Sequence, residues 1–263
     1  MSDRVLIEVK DHVATVTMNR ADKRNALDIE MIEGLVAAAA EIRETKGVRA
    51  VVLTGAGESF CAGLDIATMP KLAALAHEVG FKTRTHGISN LFQACVIDWA
   101  ELPVPVIAAV RGHAFGGGFQ IMLGADMRVA HPEAKLAILE GKWGIIPDMG
   151  GMLLMRRLAR GDVIRKLTYT AELFSGEEGA SYGFITETSD DPLARATEIA
   201  QQIAAKSPDA VQAAKALITA TELTDPEETL ILESAAQEAL VGQPNQMEAV
   251  MAGMTKRTPK FTD

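Results

Sequence analysis

Residues 111–126 read Arg111-Gly112-His113-Ala114-Phe115-Gly116-Gly117-Gly118-Phe119-Gln120-Ile121-Met122-Leu123-Gly124-Ala125-Asp126, and the glycine triplet decides how the chain around it folds. The apolar run 104–110 precedes it and reads as a buried strand, and the residues after it have helical character. Glycine admits close approach of another group and tolerates unusual dihedrals. The first N–H groups of a helix have no intrahelical acceptor, and that end carries partial positive charge. The segment is therefore either a site for negative charge on an oxygen or a tightly packed strand-to-helix turn.

A second segment of the same design lies upstream. Residues 48–54 form another apolar, β-branched run, followed by the small-residue turn Cys61-Ala62-Gly63-Leu64-Asp65. Two such turns can point one backbone N–H each at a single substrate oxygen, the arrangement of an oxyanion hole. Together with Asn19-Arg20-Ala21-Asp22-Lys23-Arg24-Asn25-Ala26-Leu27, they resemble the crotonase (enoyl-CoA hydratase/isomerase) superfamily, and the likeness runs on to Lys256-Arg257-Thr258-Pro259. The resemblance implies an α/β fold, a spiral of β-β-α turns with a C-terminal helical trimerisation region. It divides the chain into a core at 1–192, holding the CoA site and oxyanion hole, and a helical region at 193–263 for oligomerisation and active-site closure. No internal sequence repeat displays the spiral by itself.

Bulk properties set limits. A chain of 263 residues has ample core for one large domain, with or without an appendage. The net charge of −9 argues against nucleic acid or an anionic membrane as partner, since phosphate contacts need clustered Lys and Arg. Two cysteines, Cys61 and Cys95, without paired spacing, fit a reducing cytoplasmic compartment. The N-terminal stretch lacks a signal-peptide core, and no apolar run approaches membrane-spanning length. These features predict a soluble cytoplasmic protein.

Local patterns supply the elements. Residues 13–18 are rich in β-branched side chains and predict a strand. Asp28 predicts the N-cap of a helix through Glu44, apolar at Ile29, Ile32, Val36 and Ala39/Ala40. Short strands are expected at 126–130 and 136–139, and helices over 69–79 and 86–99. From 193 onward, Ala-rich helical runs at 193–206, 208–221, 226–241 and 245–256 are separated by Ser207-Pro208, Asp225-Pro226 and Gln243-Pro244, with each Pro at a helix start. This tail is either a trimerisation region or a helical cap on its own monomer.

The family likeness assigns the oxyanion-hole N–H groups to Leu64 and Gly117. Enoyl-CoA hydratases of this family carry two glutamates, one of which matches Glu140, in Leu139-Glu140-Gly141-Lys142-Trp143-Gly144-Ile145-Ile146-Pro147. The other falls at Gln120. A carboxamide does not exchange protons near neutral pH, so Gln120 can orient water or a substrate group without acting as acid or base. Asp148 is a third candidate, matching an aspartate of dienoyl-CoA isomerases; alternatively it caps a helix over 149–160. For CoA, the likeness implies backbone near Ala62, Asp65 and Ile66 around the adenine, with Lys23, Arg24, the adjoining Ala26 and the tail residue Lys256 toward the phosphates. Gly253 stands where family tails often place an aromatic residue.

Other motifs are weak. Gly55-Ala56-Gly57 lacks the third glycine of a dinucleotide fingerprint, and no Walker lysine follows. His12, His77, His86, His113 and His131 have no metal-ligand spacing, so no metal and no resident cofactor are expected, and coenzyme A enters as the substrate thioester. The leading expectation is an enolate-forming acyl-CoA enzyme with Glu140 as general base and Gln120 favouring double-bond isomerisation. The alternatives are an enoyl-CoA hydratase, using Glu140 with Asp148 or ordered water, and a weakly catalytic acyl-CoA-binding paralogue. A homotrimer or dimer of trimers is the expected assembly.

Overall fold

The computed structural model describes residues 3–71, 74, 80–222 and 224–263. A six-stranded sheet forms the centre. Its strands are β1 (Val5–Lys10), β2 (Val13–Met18), β3 (Ala50–Gly55), β4 (Val106–Val110), β6 (Met127–Ala130) and β9 (Glu187–Thr188), adjacent in that order. Only the β1–β2 hairpin is antiparallel; the other pairs are parallel. A smaller sheet holds β5 (His113–Phe115), β7 (Lys135–Ala137) and β8 (Phe174–Ser175).

The central strands are apolar on both faces, as parallel strands covered on both sides must be. Val51, Leu53, Val106, Ala108 and Val110 face the main core. Val13, Ala50, Val52, Ile107, Ala109 and Val129 face a second cluster completed by Ala196, Ala200 and Ala204. Those alanines recur every fourth residue, so they form one stripe on a helix. Their small side chains seat the tail helix Pro192–Ala204 directly on the sheet. The expected 193 boundary falls inside this helix.

The β-β-α spiral expected from the family likeness is present. The chain runs from β4 to β5 and into α3 (Gly117–Leu123), then from β6 to β7 and into a short turn of helix at Glu140–Trp143. The preceding turn of the spiral runs from β3 to a single parallel bridge at Cys61, which pairs with Ala114 of β5. The spiral is invisible as a sequence repeat because its second strands are three residues long or less.

Helix α1 (Ile29–Glu44) begins where Asp28 predicts, and the Asp28 side chain accepts from Met31 N at 2.9 Å. It packs Met31, Ile32, Leu35 and Ile42 into the core beside α2 (Leu91–Ala100). The helix expected over 86–99 starts only at Leu91. Asn90 and Gln93 form a reciprocal capping box, and Gly87 (φ +58°) folds residues 86–89 into a tight turn. The helix expected over 149–160 is α4 (Gly151–Leu158), with Gly150 at its N-cap in the left-handed region (φ +94°), so Asp148 does not cap it. The segment expected as a helix over 69–79 lies mostly outside the described residues, as does His77. The tail helices follow the Pro boundaries: Pro208–Thr221, Pro226–Leu240 and Pro244–Thr255. Among the described residues, no helix is long and apolar enough to cross a membrane.

Candidate active site

The two glycine turns lie side by side because the bridge between them is hydrogen bonded in both directions. Cys61 N donates to His113 O at 2.9 Å, and Phe115 N donates to Cys61 O at 3.1 Å. The turns leave that bridge in parallel, so Leu64 and Gly117 each lie three residues beyond a bridged residue. Gly63 has φ +84°, and a Cβ there would stand 2.5 Å from Phe115 O and 3.7 Å from Gly117 N. No larger residue fits between these backbones.

Both candidate N–H groups are left open by this arrangement. Leu27 N donates to Gly63 O at 2.8 Å and Asp65 N to Leu27 O at 2.9 Å, which directs the N–H of Leu64 away from Leu27. Gly117 is the first residue of α3, where an N–H has no intrahelical acceptor. Leu64 and Gly117 line a cavity of about 120 Å³ with Ala62, Gly63, Ile66, Met69, Phe115, Gly116, Leu139, Glu140, Trp143 and Ile145.

Glu140 is the one ionisable group in that lining. It is 6% exposed, and burial raises its carboxyl above the ordinary carboxylate range, with a smaller upward push from Asp148 and an opposing pull from Gln120. Gln120 Nε2 donates to Glu140 Oε1 at 2.6 Å. Gln120 Oε1 accepts from Met149 N at 2.9 Å and from Gly151 N at 3.0 Å. These contacts fix which end of the carboxamide faces Glu140. Glu140 Oε2 is buried with no hydrogen-bond partner.

The other candidates fall in different places. Gln120, the candidate for orienting water or substrate, stands behind Glu140, off the described cavity wall, with both ends of its amide bonded to protein. Asp148 is solvent-exposed and also off that wall, though desolvation by the surrounding chain raises its carboxyl and its charge reaches Glu140. The Asp65 carboxylate binds Arg20 at 2.8 Å, and its N–H is taken by Leu27 O. The Ala62 N–H donates to Arg24 O, and Ala26 lies between Lys23 O, which its N–H reaches, and Arg20, which bonds its carbonyl. Ile66 is exposed beside the cavity, and Lys23 and Arg24 are exposed on the loop before it. Lys256 is exposed at the left-handed C-cap of the last helix, and no described residue beyond Ile145 lines the cavity.

Asn25 and Arg20 are the structural residues that sequence reasoning left without a role. Asn25 is fully buried; its Nδ2 donates to Ala56 O, Ser59 O and Phe60 O, and its Oδ1 accepts from Arg20 N. It ties the loop before α1 to the strand end before Cys61. The cue was their place in the quoted motif at 19–27. Described histidine ring nitrogens hydrogen-bond backbone or hydroxyl groups, as His113 does with Ser59 Oγ at 2.9 Å, and His12 Nδ1 also lies 3.9 Å from Asp263 Oδ2. Among the described residues, no three His, Cys, Asp or Glu side chains converge on a metal-sized site.

Comparison with known proteins identifies the family and the fold. The family model described as enoyl-CoA hydratase/isomerase matches residues 8–263. The chain is 33% identical to the enoyl-CoA hydratase EchA19 of Mycobacterium tuberculosis, over 97% of this chain and 95% of that protein. It is 30% identical to the 1,2-epoxyphenylacetyl-CoA isomerase of Escherichia coli, over 100% and 99%. The crystal structure of an enoyl-CoA hydratase from Bacillus anthracis superposes with a TM-score of 0.89 at 30% identity, covering 98% of this chain and 99% of that one.

Proposed function

Because the chain belongs to the enoyl-CoA hydratase/isomerase family, and is an enzyme of it, we propose that it shifts the double bond of an enoyl-CoA through a thioester enolate. In this reading, the N–H groups of Leu64 and Gly117 donate to the thioester oxygen and stabilise the negative charge that develops there. Glu140 takes a proton from the α-carbon of a 3-enoyl thioester through Oε2. The electron pair delocalises onto the thioester oxygen as a dienolate. The carboxyl then returns the proton to the γ-carbon, giving the conjugated 2-enoyl product. No atom is gained or lost.

One observation carries the preference for isomerisation. Glu140 is the one ionisable group on the described cavity wall, and its partner position holds a carboxamide bonded on both ends. One carboxyl group that accepts and returns the same proton suffices for isomerisation, whereas adding water calls for a base and an acid. Presenting the protein with 3-enoyl-CoA and 2-enoyl-CoA thioesters of several chain lengths tests this. Appearance of conjugated-enoyl absorbance from the former, faster than its loss by hydration of the latter, is the expected result. Faster hydration overturns the preference, and binding without turnover identifies a weakly catalytic acyl-CoA-binding paralogue.

Hydration is the second reading. It is favoured by the influence of Asp148 on Glu140, and by relatives named as hydratases. Here Asp148 or an ordered water would supply the second proton-transfer group.

Coenzyme A enters as the substrate thioester, with no resident cofactor. Its adenine end would run over Ala62, Asp65 and Ile66 toward Lys23, Arg24 and Lys256, with Ala26 shaping the loop between. The expected assembly is a homotrimer or dimer of trimers. Its support is the helix Pro226–Leu240, in which no residue is fully buried, together with exposed Leu230, Ile231, Met247, Met251 and Met254. The region 193–263 would then serve both assembly and closure of the site.

A further inference from the structure

We propose that Arg20 is a positioning residue. Its ion pair with Asp65 fixes the turn carrying the Leu64 N–H, and so sets how strongly a bound thioester carbonyl is polarised. This rests on the oxyanion reading of Leu64 and Gly117.

A backbone donor has no side-chain torsions, so the dihedrals on either side of it determine its aim. On the upstream side of Leu64 is Gly63, the residue type with the widest conformational freedom, held at φ +84°. The turn therefore needs outside restraint to keep its N–H on target. Leu27 supplies part of it through the bridge to residues 63 and 65. On the downstream side, the residue next to the donor is Asp65, gripped by Arg20.

Arg20 is well placed for this. Its Nη1 donates to Asp65 Oδ2 at 2.8 Å and to Ala26 O at 3.1 Å, and lies 3.5 Å from Asp28 Oδ2. Asp28 in turn caps α1 through Oδ1. The guanidinium thus joins the Leu64 turn to the rigid start of α1. Asp65 Oδ1 accepts from Ala67 N at 3.1 Å, which closes the short turn of helix Ile66–Thr68. The Arg20 and Asp65 side chains are 13% and 21% exposed, so the pair is partly shielded from solvent. The Arg20 hydrogen bond holds the Asp65 carboxyl below the ordinary carboxylate range. Arg20 does not line the cavity, which makes its effect on chemistry indirect.

The test uses the full chain as wild type, Arg20→Met, Arg20→Lys, Asp65→Asn and the Arg20→Met/Asp65→Asn double variant, each checked for folding by circular dichroism. The probe is 4-dimethylaminocinnamoyl-CoA, whose absorbance moves to the red as its carbonyl accepts stronger hydrogen bonds. The same proteins are assayed for kcat and KM on the best enoyl-CoA.

Wild type should shift the probe. Arg20→Met and Asp65→Asn should show a smaller red shift for each probe molecule bound, and lose roughly 10- to 100-fold in kcat whether or not KM changes, the scale of a donor displaced by a fraction of an ångström to one ångström. Arg20→Lys should recover part of both, and the double variant should be no worse than either single. A full red shift and full kcat in the single variants overturns the proposal. So does a loss confined to Kd and KM, which would make the pair a direct CoA contact. Absence of any red shift in wild type defeats the oxyanion reading itself, a different failure. If Arg20→Met does not fold, Asp65→Asn carries the test, because its amide oxygen can still cap Ala67.

Discussion

Gln120 donates to Glu140 at 2.6 Å because the other end of its carboxamide is held by the backbone N–H groups of Met149 and Gly151. A carboxamide turned the other way would oppose its NH₂ group to those two donors and its oxygen to a carboxylate. The start of α4 therefore dictates which face Gln120 shows to Glu140. One carboxylate oxygen is occupied and the other, Oε2, is left without a partner. With Glu140 as the proposed base, Oε2 is the atom left to accept the proton.

Replacing that base is the first test. Glu140→Gln should lower turnover by about 10²–10⁴-fold, the usual contribution of a general base. It should also stabilise the fold at neutral pH. The Glu140 carboxyl is raised in the folded state, so ionising it opposes folding. That penalty is absent below the unfolded carboxylate range, where both states are protonated, and complete above the folded pKa. Thermal melts should show the variant above wild type at neutral pH, by about 2–4 °C for each kcal/mol relieved, and level with it in acid.

The pH profile gives an independent reading. With Glu140 as the proposed base, turnover needs its ionised form, so the acid limb of kcat/KM should lie above the ordinary glutamate value, about 4.3. Burial sets that direction, and donation from Gln120 opposes it. Gln120→Met removes the donor, destabilises the charged form and should move the limb further up. A limb that stays put in Gln120→Met would mean that the hydrogen bond has no influence on the base.

Gln120→Glu should restore a carboxylate pair and increase hydration of crotonyl-CoA. Met149 and Gly151 N–H would hold one oxygen of the new group, and the other would share a proton with Glu140, so the two should titrate as a coupled pair. If wild type already hydrates crotonyl-CoA as fast as this variant, the isomerase preference is wrong. Asp148 or an ordered water would then be the second group.

Gly117→Pro deletes one proposed donor. The change should cost about 2.7–4 kcal/mol of transition-state stabilisation, read as lost enolate chemistry in a protein whose circular dichroism is unchanged. A folded variant with full activity removes Gly117 from the mechanism. Space is tight: a Cβ at Gly117 would come within 2.8 Å of Leu27 Cδ1 and 2.9 Å of Met149 Sδ. The folding control is therefore essential.

The assembly is tested by light scattering at micromolar concentration. Exposed Leu230, Ile231, Val250, Met251 and Met254 on the last two helices should be covered by other copies, giving the mass of a trimer or of a dimer of trimers. A monomeric mass refutes this.

Much of the architecture can be read from local pattern. The strand at 13–18, the helix capped by Asp28 and the Pro-bounded tail helices follow from β-branching, a capping carboxylate and proline at helix starts, all interactions within a few residues. The helix at Leu91–Ala100 is read too long because a capping box at Asn90 and a positive φ at Gly87 outcompete helical periodicity. The pairing of the two glycine turns is legible only as a family likeness, since a parallel bridge between Cys61 and Ala114 spans distant sequence.

What the sequence determines by itself is the inventory: two small-residue turns after apolar runs, a glutamate at 140 and a carboxamide at 120, and a helical tail. The tertiary structure decides how those parts act. It turns the Gln120 amide toward Glu140, leaves Asp148 off the cavity wall, and pairs the Asp65 carboxylate with Arg20. Each outcome depends on which polar groups find partners from remote parts of the chain. A hydrogen bond lost in a buried site has no water to replace it, so these partnerships are settled by three-dimensional packing rather than by neighbours in sequence.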